Sequence, residues 1–125
     1  MKSSIFTQHQ EHEAWMNKLA FYDDEIVIMQ NRISEITSKN TSKDVLAKVE
    51  HFQNQLIIQK KHIDDLRHKI RRDEKKLEAN INANPVASDH RKIEDHSDER
   101  AFMEGFELNI NEIRSHLNHF LAQHM

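Results

Sequence analysis

The sequence predicts an all-α fold, an up-down-up three-helix bundle of long antiparallel helices with coiled-coil-like packing. Three observations lead there. A single Gly and a single Pro among 125 residues leave almost nothing to build hairpins or bulges. Hydrophobic residues make up 37% and charged residues 31% of the chain, so the apolar side chains form a core only if they gather on stripes. Two short polar breaks divide the sequence into three helical stretches, expected at about 5–38, 42–80 and 86–123 of a single domain, 1–125.

The first stretch begins near Ser4 or Thr7, with Thr7-x-x-Gln10 as a capping box. It ends at Lys39-Asn40-Thr41-Ser42, where Asn40 suits a left-handed C-cap and Thr41, followed by Asp44, suits the next N-cap. In the second stretch Val49, Leu56, Ile63, Ile70 and Leu77 recur every seven residues, interleaved with Val45, Phe52 and Leu66. Gln59 and Asp73 are polar interruptions of that seam. Asn80 to Pro85 form the second break, with Pro85 suited to the first turn of a third helix. Phe102, Phe106, Ile110, Ile113, Leu117 and Phe120 then make an amphipathic stripe, whereas Ser88 to Arg100 offer only Ile93. Gly105, inside the apolar part, points to a kink or a close backbone approach. Breaks this short make consecutive helices antiparallel neighbours, each roughly 50 Å long at 1.5 Å per residue.

Helix 1 carries more apolar surface than two neighbours require. Beside the stripe from Trp15 to Ile36, Phe21 and Ile28 lie to one side, and Met16, Ala20 and Val27 to the other. A third apolar flank points to another subunit, with Phe21, Val27 and Ile28 as interface residues of a homodimer.

Composition excludes several functions. Formal net charge is −3, and the basic run from Lys60 to Lys76 has no interleaved aromatic residues, so a nucleic-acid partner is not expected. Helix 3 is acidic from Asp89 to Glu112, and its pairing with that basic run inside the bundle is the expected use of both. With no Cys there are no disulfides or thiolate metal sites. The longest aliphatic run, Ile26-Val27-Ile28-Met29, is too short for a signal peptide or a membrane span, and a cytoplasmic location is the default. A single Gly permits no phosphate loop and no nucleophile elbow, so no catalytic residue and no organic cofactor is assigned.

Ten histidines carry the remaining signal. The short breaks set residue i of helix 1 level with about 80−i on helix 2 and about i+88 on helix 3. His9 and His12 then approach Asp73 and His96, with Glu13, Glu74 and Asp95 as further ligands or outer partners. Imidazole nitrogens with carboxylates suit Zn, Fe, Mn, Cu or Ni. The same residues also fit a solvated bundle end, or a pH-sensing layer in which buried neutral histidines would have lowered pKa values and stability would fall on acidification. A second group, His51, His116 and His119 with Glu112, flanks the stripes and reads as surface. Midway, Tyr22 and Asp23 come level with Gln59 and Asn109, as in a polar layer that specifies register. The leading reading is a non-catalytic interaction or oligomerisation module. The alternative is a metal-binding bundle using His9, His12, Asp73 and His96.

Overall fold

The computed structural model describes residues 2–83, 92–94 and 97–124. Three helices, α1 (Ile5–Lys39), α2 (Lys43–Ala83) and α3 (Ser97–His124), pack pairwise into an up-down-up bundle. Two three-residue strands, β1 (Lys2–Ser4) and β2 (Lys92–Glu94), pair antiparallel with Ser3 opposite Ile93. No helix among the described residues is long and apolar enough to cross a membrane.

Local chemistry sets the helix ends, and two of the expected caps move. Ser4, with extended backbone at φ −69° and ψ 152°, caps α1 by accepting the Thr7 N–H. Thr7 therefore lies inside the helix, and its hydroxyl oxygen accepts from the Ser4 hydroxyl at 2.7 Å. Asn40 is extended, at φ −129° and ψ 123°, instead of left-handed. Its N–H still closes the last turn onto the Ile36 carbonyl at 2.9 Å. Ser42, one residue beyond the expected cap, accepts from the Val45 N–H and from the Leu46 N–H through its carbonyl.

Helix 3 begins eleven residues later than the expected 86, at Ser97. The physical reason is visible in the composition of that stretch. Residues 88–100 offer Ile93 alone for burial, and a helix without an apolar stripe has little to hold it to its neighbours. Residues 92–94 instead satisfy main-chain groups against β1. Pro85 lies outside the described residues.

The core runs through all three helices, from Trp15, Leu19, Ile26 and Ile33 of α1, through Val49, Leu56, Ile63 and Ile70 of α2, to Met103, Phe106, Ile110 and Leu117 of α3. Met103 takes the place expected for Phe102, which stays 40% exposed. Gly105 marks no close approach: α3 continues through it, and a Cβ there would meet nothing within 4 Å. Gly105→Ala is accordingly expected to stabilise the protein by about 0.5–1 kcal/mol, because the unfolded chain loses freedom that the helix never uses. Thermal unfolding of the variant checks this.

Charge fixes the register of α3 on α1. Glu11 pairs with Arg100, Lys18 with Glu107 and Glu25 with Arg114, each pair separated by 89 residues. That offset differs by one from the expected 88. The three pairs repeat every seven residues and alternate in sign along α1. Sliding α3 by one heptad would set Glu107 opposite Glu11 and Arg114 opposite Lys18, so like charges penalise the slip. Asp89 and Asp95 of the acidic run expected to pair with α2 lie outside the described residues; among the described ones Lys69 and Arg72 favour the charged form of Glu99, but no ion pair joins α2 to α3. Among the described residues the ion pairs between helices join α1 to α2, through Asp23 with Lys60 and Arg67 and through His9 with Glu74, and α1 to α3.

The expected mid-bundle polar layer does not assemble either. Asp23 turns to Lys60 and Arg67, Tyr22 donates to Glu107 at 3.0 Å, and Asn109 is exposed. Gln59 is buried, as is the Tyr22 ring, and the Gln59 Oε1 is without a hydrogen-bond partner among the described residues. Both Asp23 and Tyr22 can reach a long charged side chain at the helix margin, which solvates them better than a neutral amide inside.

Candidate metal centre

The up-down-up path brings the start of α1, the last third of α2 and the start of α3 to one end of the bundle. Aliphatic side chains thin out there, and the interior position one turn before Trp15 holds His12, only 2% exposed. Asp73 occupies the matching interruption of the α2 seam, and Glu99 lies in the first turn of α3. One ligand atom from each of His12, Asp73 and Glu99 lies within 4.8 Å of the other two, and no other such group of His, Cys, Asp or Glu occurs among the described residues.

Each member is held by identifiable contacts. The Nδ1 of His12 faces Glu74 Oε1 at 3.4 Å, the ring leans on Trp15 with centroids 6.0 Å apart, and Nε2 is shielded from solvent. Glu99 suffers most from burial, which pushes its pKa up to about 8. Hydrogen bonding to Asp73 and the Asp73 charge add to the rise, and Lys69 and Arg72 oppose it. At neutral pH Glu99 thus keeps its proton beside Asp73. Glu99 Oε2 is also buried, with no hydrogen-bond partner among the described residues.

His9 does not join this group. Its Nδ1 sits 2.8 Å from Glu74 and its Nε2 3.0 Å from Glu13, so both ring nitrogens face carboxylates. The hydrogen bond to Glu74 is the main reason its pKa is raised above the ordinary 6.5. An imidazolium donating from both nitrogens offers no lone pair to a metal. His9 thus stands apart from the group of His12, Asp73 and Glu99, and its raised pKa gives a pH dependence opposite in sign to that of a buried neutral histidine. A histidine with a raised folded pKa contributes stability that is full below the unfolded value of 6.5 and is lost as pH rises through the folded value. Glu74→Gln is expected to return the His9 pKa towards 6.5, read by NMR titration of the ring protons. An unchanged His9 titration would show that Glu74 does not hold the proton there.

His12 and Asp73 thus converge as expected, Glu74 stands behind His12, and His96 and Asp95 lie outside the described residues. Glu99 was missed as a ligand because it reads as one member of an acidic run. The signal for it was present, since it lies one residue from the position level with His12. His51, His116 and His119 border a shallow cavity of about 300 Å³ between α2 and α3 and are exposed. Phe21, Val27 and Ile28 are 60%, 52% and 53% exposed on the outer side of α1.

One imidazole and two carboxylates from three rigid helices form a donor set for a divalent first-row transition ion. Comparison with models of protein families, with curated proteins and with solved structures finds no match to this chain.

Proposed function

We propose that the chain is a metal-binding helical bundle that takes one divalent Zn, Fe, Mn, Cu or Ni ion through His12, Asp73 and Glu99. The observation that carries this reading is the convergence of their ligand atoms within 4.8 Å, one from each helix. Chemistry supports it in two ways. An ion would replace the proton that Glu99 holds and would satisfy its buried Oε2. Glu74 receives the His12 Nδ1–H, which assigns Nε2 to the ion, and His9 and Glu13 in turn hold Glu74. The residues' own work is to orient the imidazole, hold a proton when no ion is bound and give it up when one binds.

Because the ligands come from three helices, binding clamps the end of the bundle where apolar packing is thinnest. An ion at about 100 times its Kd adds about 2.7 kcal/mol to stability. Chelator-stripped protein should therefore melt several degrees higher with at least one of the five ions, and His12→Ala should lose that gain. No rise with any of them would refute the reading.

A second role, self-association, is favoured by one observation. Phe21 and Ile28 lie seven residues apart on one flank of α1, Val27 lies on the other flank, and all three are more than half exposed. Light scattering should show twice the chain mass for the native protein and the single-chain mass for the Phe21→Glu/Ile28→Glu variant. A native monomer at high concentration would exclude this role.

A further inference from the structure

Ion pairs tie α1 to both of its neighbours, but among the described residues none joins α2 to α3. The margin of that seam opens at the bundle end farthest from His12, in the cavity of about 300 Å³. Its floor is aromatic. Phe52 of α2 and Phe120 of α3, both buried, meet there with ring centroids 5.4 Å apart. Its rim is formed by Lys48 and His51 of α2 with His116 and His119 of α3. The members of each pair are three residues apart, which puts them on one flank of their helix.

The chemistry of this rim is one-sided. No carboxylate borders the cavity, and among the described residues Lys48 and His116 have no hydrogen-bond or ion-pair partner. His51 leans edge-on against Phe52 at 5.7 Å, and His119 meets Gln123 at 3.4 Å. Lys48 brings a positive charge with three donors, and each imidazole offers at least one ring N–H in either protonation state. Asp44, one turn before Lys48, lies outside the rim, and Glu112 borders an adjoining cavity of about 250 Å³ on the far side of His116. An anion is therefore favoured at the Lys48 side and repelled beyond His116. An apolar floor beneath a donor-bearing rim suits a flat apolar body with one acid group, and a volume at the lower end of ligand sites leaves room for one or two rings.

We infer that this cavity binds a small aromatic carboxylate, with its ring against Phe52 and Phe120 and its carboxylate on Lys48 and the imidazoles of His51, His116 and His119. The inference is independent of the metal centre at the other end of the bundle, and its test uses chelator-stripped protein. The probe is 2-naphthoate, followed through the histidine ring protons of the full chain by NMR at neutral pH. The control is 2-naphthalenemethanol, the same ring without the charge.

A ligand of this size should bind with a Kd of about 1 mM. The signals of His51, His116 and His119 should move and saturate together, while those of His9 and His12 stay in place. The alcohol should bind about tenfold more weakly, and Lys48→Gln should weaken naphthoate about tenfold while leaving the alcohol unchanged. His119→Ala, at an exposed position, repeats the test should Lys48→Gln disturb the start of α2, with an expected loss of about threefold. Three results would overturn the inference: no movement of the three ring signals at about 5 mM naphthoate; equal affinity for naphthoate and the alcohol; or an affinity indifferent to both variants.

Discussion

Glu99→Gln is expected to make the metal-free protein more stable at neutral pH and, at the same time, unable to gain stability from metal. In the native protein Glu99 has a pKa raised from 4.5 to about 8, chiefly by burial and then by Asp73. The sign follows from linkage. A carboxyl group whose folded pKa exceeds its unfolded value binds more protons in the folded state, so its contribution is full below 4.5 and declines as pH rises through about 8. A glutamine keeps a donor for Asp73 and carries no charge to bury. The variant should therefore match the native protein below 4.5 and exceed it by on the order of 1–3 kcal/mol above 8. Thermal unfolding in chelator across that range measures the difference. Parallel curves for the two proteins would mean that Glu99 holds no extra proton.

Leu56→Ala and Ile57→Ala, neighbours in sequence, should differ more than any other adjacent pair on α2. Leu56 is 0% exposed at the centre of the seam, and Ile57 is 61% exposed on the outer side. Removing the Leu56 side chain leaves a cavity among three helices, at a cost of about 2–5 kcal/mol. Ile57→Ala should stay within about 0.5 kcal/mol. Urea unfolding should show a lower midpoint for Leu56→Ala with an unchanged slope, the signature of lost stability without altered compactness. Equal effects at the two positions would mean that the seam faces elsewhere.

Where side chains decided the structure, sequence pattern was a sufficient guide. The seven-residue recurrence from Val49 to Leu77 is the buried line of α2, and the interleaved Val45, Phe52 and Leu66 are buried with it. The positions of the two breaks together gave the α1–α3 register to within one residue, because parallel helices joined through a third inherit both connections. Pattern failed where main-chain groups or neighbours from another helix decided. The pairing of β1 with β2 is made by backbone hydrogen bonds, which leave no side-chain period over three residues. Asn40 found an extended cap because its N–H reached Ile36 without a left-handed turn.

At the candidate centre, His12 and Asp73 were legible as polar residues on apolar lines. His9 was read as their equivalent because i,i+3 spacing puts it on a nearby face, yet the side chain leans towards Glu13 and Glu74 at the α2 margin. Glu99 lies close to the position level with His12, but residue type does not separate it from the acids around it. Only the late start of α3 places it in a first turn beside Asp73.

The proposal that His12, Asp73 and Glu99 hold one ion is tested most directly by elemental analysis of untagged protein dialysed against each of the five metals. The proposal predicts one ion per chain for at least one metal, and none for the Glu99→Gln or His12→Ala variants under the same dialysis. Sub-stoichiometric metal in the native protein, or equal loading of the variants, would contradict it.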